Sequence, residues 1–206
     1  MPDPGLRADL DRALEAYDRP GAVAIALEAV AGGVVSISEL YRVLSEIMVD
    51  IGATWQTGTT EVWQEHLVTG AVRNIVEACV RRVEETAPDP RTTVVLAAPE
   101  DEYHDLGLRM LADRFRLAGW RPHFLGANVP VSQLVSASDT LRADAVALSA
   151  STHFHRVSLK EYVAALSETR PALRVWVGGP AFALGGNGWP DEMVLDPLNL
   201  PPPEGR

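Results

Sequence analysis

Of five histidines, His104 stands between two carboxylates in the segment Glu102-Tyr103-His104-Asp105-Leu106-Gly107. An imidazole donates to a metal only through a deprotonated ring nitrogen. A carboxylate two residues away can accept the other ring N–H and so fix the tautomer. The segment follows the apolar run Thr92–Pro99, which predicts a first β-strand with His104 just past its C-terminal end, where open α/β sheets bind ligands. Taken alone, a histidine in such a loop reads as a surface or capping residue. Two later apolar runs close on Ser149-Ala150-Ser151 and on Gly178-Gly179. Small residues there leave room at the sheet edge, although glycines also simply end strands. A second group lies upstream, where Trp55 is followed ten positions later by Glu65-His66. Val62, Glu65 and His66 are spaced by three and four and so share one helix face. An acid beside a titratable base on an inward face is costly unless it meets a polar ligand, whereas Trp55 and Trp63 would also serve as bundle core.

Together these residues resemble the cobalamin-binding module of the CarH/LitR-type light sensors, in which a helical bundle caps one corrin face and a flavodoxin-like domain holds the other. The lower-ligand motif of that family, Asp or Glu-x-His-x-x-Gly, is matched by Glu102-x-His104-x-x-Gly107, and the Trp-x9-Glu-His pattern of its cap by Trp55, Glu65 and His66. The resemblance extends over nearly the whole chain. It implies adenosylcobalamin bound base-off, with His104 as the lower axial ligand of cobalt and Glu102, Asp105 and Ser151 around it. Ser149 would hydrogen-bond the displaced nucleotide tail in a slot left open by Gly107, Gly178 and Gly179. Trp55, Val62, Glu65 and His66 would surround the upper ligand. It further implies a sensory binding module without enzymatic turnover. Light would break the Co–C bond and shift the helical part against the α/β part, and the signal would pass through a homo-oligomer or an effector protein.

Two departures from the family pattern stand out. The histidine that follows the capping tryptophan in CarH-type sensors is Gln56 here, and an amide is a poor donor to cobalt(III). Beyond the third predicted strand, Ser151-Thr152-His153-Phe154-His155 adds two histidines and an aromatic ring to the ligand edge. They read equally well as exposed loop residues, and two histidines alone make no metal site. The resemblance to the photocobilin subclass nevertheless admits a bilin such as biliverdin as second chromophore. The competing readings are a corrinoid carrier for methyl transfer, and a flavodoxin-like interaction domain that has lost its ligand.

The elements that must position these residues divide the chain in two. Leu6, Leu10 and Leu14 repeat at helical spacing; Gly32-Gly33 closes a second helix that starts near Pro20; Ser36 with Glu39 predicts a capping box opening a third; and Thr57-Gly58-Thr59 precedes a fourth that runs to about Glu85. Residues 1–86 thus read as a four-helix cap, 87–91 as a linker and 92–198 as a Rossmann-like cobalamin-binding domain. Its predicted strands are Thr93–Ala98, His123–Leu125, Ala145–Ser149, Arg174–Val177 and a short Met193–Leu195, which alternate with helices. This pattern predicts a flavodoxin-like, doubly wound, five-stranded parallel sheet. No Gly-x-Gly-x-x-Gly follows the first strand, so a dinucleotide site has no support. The Pro-rich tail 199–206 reads as disordered or as a stub toward a further segment.

Composition excludes several classes of function. The net charge is −10 and Lys160 is the only lysine, which argues against direct nucleic-acid binding. The helix-turn-helix of CarH-type regulators has no counterpart ahead of residue 1. The single cysteine, Cys79, forms no internal disulfide and falls in a helical pattern as an apolar core residue. No apolar stretch suits a membrane span or a signal peptide, which predicts a cytoplasmic protein.

Overall fold

A computed structural model describes residues 4–90, 92–183, 185 and 188–203. The chain divides into two compact units, residues 1–85 and 86–206.

The described residues of the first unit form four helices, α1 (Pro4–Glu15), α2 (Arg19–Ala31), α3 (Ile37–Gln56) and α4 (Val62–Thr86), the last ending one residue past its boundary. Each buries one stripe. Leu6, Leu10 and Leu14 do so on α1, Ala22, Ala26 and Val30 on α2, Leu40, Leu44 and Ile47 on α3, and Val72, Ile75, Cys79 and Val83 on α4. The caps are those the local sequence demands. Asp18 accepts from the Gly21 amide at the start of α2. Ser36 and Glu39 close a full capping box at the start of α3, each side chain accepting from the other's amide. Gly33 adopts φ +69° just past α2, where a side chain would be strained.

The second unit alternates strands and helices in the order β1 (Thr92–Pro99), α5 (Leu106–Leu117), β2 (Trp120–Val129), α6 (Val131–Thr140), β3 (Ala145–Ser149), α7 (His153–Thr169) and β4 (Arg174–Gly178). All pairings are parallel, in the spatial order β2-β1-β3-β4. All eight residues of β1 are buried, as a strand covered on both faces requires. Val94, Leu96 and Ala98 face one core with Phe115, Trp120 and Trp176, while Val95 and Ala97 face the other with Leu134, Leu159, Tyr162 and Leu166.

Three features depart from the sequence expectation. The fifth strand is not formed: residues 191–193 make a short 3-10 turn, and only Val194 bridges Val177, with the Leu195 amide donating to the Val177 carbonyl. The described sheet therefore has four strands. Strand β2 is longer than the predicted His123–Leu125, because at the sheet edge Pro122 interrupts no ladder. The tail is ordered over its described part, as Leu200 packs on the core beneath β1 and the Trp120 indole N–H donates to the Pro201 carbonyl at 2.9 Å.

Candidate functional site

The chain leaves β1 for β2 on one side and then crosses to β3 on the other, so the strand order reverses between β1 and β3. The crevice outside this switch point is where such sheets bind ligands. The β1–α5 loop enters it through a tight turn, with Asp101 at φ +64° and the Glu102 amide donating to the Pro99 carbonyl. The loop is pinned from outside. Asn128 accepts from the Asp101 amide at 2.9 Å. The Tyr162 hydroxyl accepts from the Glu100 amide and donates to the Val129 carbonyl.

Glu102 is completely buried. Its Oε1 accepts from the His104 amide at 3.0 Å and lies 2.7 Å from His104 Nδ1. Its Oε2 accepts from the Ser151 amide at 2.7 Å and from the Ser151 hydroxyl at 2.5 Å. Burial pushes this carboxyl up, but the Ser151 hydroxyl, the two amides and the His104 ring outweigh it and hold the group down at about 2. A buried, ionised carboxylate has only acceptors, so His104 must present Nδ1 as N–H, which leaves the lone pair on Nε2. The His104 side chain is 76% exposed, so that nitrogen is available to a ligand. The arrangement is that of a buried carboxylate orienting an exposed imidazole, with one ring nitrogen held and the other free to donate.

The slot residues lie on the adjoining strand ends. Ser149 pairs in register with Gly178, and the Ala150 amide donates to the Gly178 carbonyl. Gly179 has φ +98°, and a Cβ there would lie 2.6 Å from both the Ala150 carbonyl and Ser149 Oγ, so only glycine fits. A Cβ at Gly107 would meet nothing within 4 Å, which leaves open space at the start of α5. Asp105 is the N-cap residue of α5 but makes no side-chain capping bond. The structure thus gathers Glu102, His104 and Ser151 into one hydrogen-bonded cluster, with Ser149, Gly178 and Gly179 together on the neighbouring strand ends.

The remaining predicted residues belong to the helical unit. Trp55 lies in the last turn of α3 and is half exposed, as are Val62 and Trp63 at the start of α4. His66 Nδ1 lies 2.6 Å from Glu65 Oε2, and Thr69 donates to the other Glu65 oxygen. Glu65 and His66 therefore satisfy each other locally, with the His66 ring 72% exposed. Sequence reasoning did not place Asn128 or Tyr162 at the loop, because neither has a local signal. In sequence His155 reads equally well as an exposed loop residue, yet its side chain is only 13% exposed and its Nδ1 lies 2.9 Å from Glu102 Oε2.

Fold and site together define a ligand-binding α/β module that presents an imidazole donor at its switch point, preceded by a helical unit. Two family models, each described as a B12 binding domain, match residues 92–186 and 6–79, and the chain belongs to this family of B12-binding domains. It is 34% identical over 178 residues to the HTH-type transcriptional repressor CarH of Myxococcus xanthus, a match covering 85% of this chain and 58% of that protein. The chain thus spans a little over half the length of that relative. It is also 22% identical to trimethylamine corrinoid protein 1 of Methanosarcina mazei over 89% of this chain and 86% of that one. The monomethylamine corrinoid protein of Methanosarcina barkeri shares the fold, with a TM-score of 0.75, 20% identity, and coverage of 91% and 88% of the two chains.

Proposed function

We propose that this chain is the cobalamin-binding sensory module of a light-responsive protein, holding adenosylcobalamin base-off with His104 as lower axial ligand through Nε2. The observation that carries the cofactor reading is the buried, ionised Glu102, which fixes Nδ1–H on an otherwise exposed His104. The residues fit the group in a second respect. Gly179 and Gly178 bring β4 against Ser149 without side chains, as a slot for a nucleotide tail requires. When bound, the cofactor supplies a Co–C bond that visible light breaks. Trp55 and Val62 would shield the upper ligand, and Glu65 would orient His66 beside it. Gln56 offers only an amide, so no imidazole comes from that position after illumination.

The sensor is favoured over a carrier by the Trp55-x9-Glu65-His66 pattern and by the 34% identity to CarH. The module would act on a partner protein or a second copy of itself in the cytoplasm, with no substrate turned over. A bilin such as biliverdin as second chromophore belongs to the same reading. One observation favours the corrinoid carrier instead: the chain spans 86% of the length of the trimethylamine corrinoid protein.

The test is reconstitution in the dark with adenosylcobalamin, with and without biliverdin, followed by absorption spectra before and after green and red light. A green-driven change in the corrin bands supports the sensor. An added red band requires the bilin, and its absence removes the bilin from the reading. Methyl exchange without stable adenosylcobalamin binding would establish the carrier. His104→Ala should lose the His-on spectrum and most cofactor retention; an unchanged spectrum would overturn the ligand assignment.

A further inference from the structure

We infer that His155 is a positioning residue for His104, acting through the carboxylate of Glu102 that the two imidazoles share. The inference rests on the reading of His104 as lower ligand and deepens it. Two donors reach Glu102 Oε2, the Ser151 amide and the Ser151 hydroxyl, and His155 Nδ1 lies in ion-pair contact with the same oxygen at 2.9 Å. A nitrogen that close to an ionised carboxylate oxygen must bring its hydrogen, since two acceptors facing each other repel. His104 Nδ1 occupies the other oxygen at 2.7 Å.

The His155 ring is fixed in place by the start of α7. Thr152 is the N-cap, accepting from the His155 amide at 3.2 Å, and its Oγ1 lies 2.9 Å from His155 Nδ1. The next residue, Arg156, is buried and donates to the Ala181 carbonyl at 3.0 Å and to His153 Nδ1 at 2.8 Å. This braces the first helical turn against the β4 end of the sheet. The Phe154 ring meets the His155 ring edge-on at 5.4 Å between centroids.

The consequence is electrostatic. Every donor to a carboxylate draws charge from it and lowers its pull on the remaining donors. His155 therefore limits how strongly Glu102 draws the Nδ1 proton of His104, and so sets the electron density that His104 Nε2 can offer a metal. An imidazole whose distal N–H is pulled harder is the stronger donor. Removing the His155 donor leaves Glu102 a stronger acceptor and His104 a stronger ligand.

Leucine and asparagine have nearly the same branched shape and differ in the presence of an N–H donor, so His155→Leu and His155→Asn separate the donor from the packing. The measurement is the Nδ1–H proton resonance of His104 in the full chain without cobalamin. In His155→Leu it should move downfield of wild type, and in His155→Asn it should return to the wild-type position. His155→Phe, which keeps a ring without the donor, replaces the leucine variant if that fails to fold. A resonance unmoved in Leu and Phe, moved upfield, or displaced equally in Leu and Asn would overturn the proposal. Cobalamin retention by His104→Ala is read separately: unchanged retention sinks the lower-ligand reading, whatever the resonance does.

Discussion

Glu102 holds a charge where burial alone would remove it, because four donor atoms from His104 and Ser151 surround its two oxygens. Its carboxyl is lowered from 4.5 unfolded to about 2 folded. A lowered folded value means the stabilisation is complete above the unfolded value and is lost as pH falls through the folded one. The urea midpoint of the wild type should therefore drop between pH 4.5 and about 2 more steeply than that of Glu102→Gln. Gly179→Ala places a Cβ 2.6 Å from the Ala150 carbonyl at φ +98°. It should cost on the order of 3 kcal/mol, seen as a lower melting temperature. At this scale the sequence displayed the residue types but not all the pairings. The Glu102–His104 bond was legible because a single residue of loop, Tyr103, separates its partners. The reach of His155 to Glu102 was not, because it depends on β1 and β3 lying side by side.

Among the elements, helices were legible from their apolar period and their caps. Ser36→Ala removes the acceptor of the Glu39 amide and should cost about 1 kcal/mol, measurable as a shift in thermal unfolding. Strands were harder to bound. Pro122 and Gly126 made β2 look short, yet an edge strand tolerates proline, and Gly126 takes φ +85° where the register with β1 slips. The expected fifth strand failed for a local reason. Pro190 leads the chain into a 3-10 turn and Asp196-Pro197 follows at once, leaving room for a single bridge from Val194. The crossing from β1 through β2 to β3 was readable in outline from strand–helix alternation, and it is what fixes the position of the crevice.

Across the whole molecule, the acidic balance of −10 predicts no retention on DNA at physiological salt, which a gel-shift titration checks. Among the described residues no helix is long and apolar enough to cross a membrane. The tail was misread because prolines cannot extend a sheet. Their carbonyls still accept, however, and Pro201 binds the indole of Trp120 within the Phe115–Trp120–Trp176 cluster, whose ring centroids lie 5.5 to 5.9 Å apart. Truncation after Asp196 should cost about 2 kcal/mol of stability and shift the tryptophan emission to the red. Cys79, fully buried in α4 and the only cysteine of the chain, gives the molecule a thiol-blank surface. Any cysteine introduced outside the core becomes the sole site for maleimide chemistry. A spin label on α4 and another on α7 would therefore report, without background, the distance between the two units in darkness and under illumination.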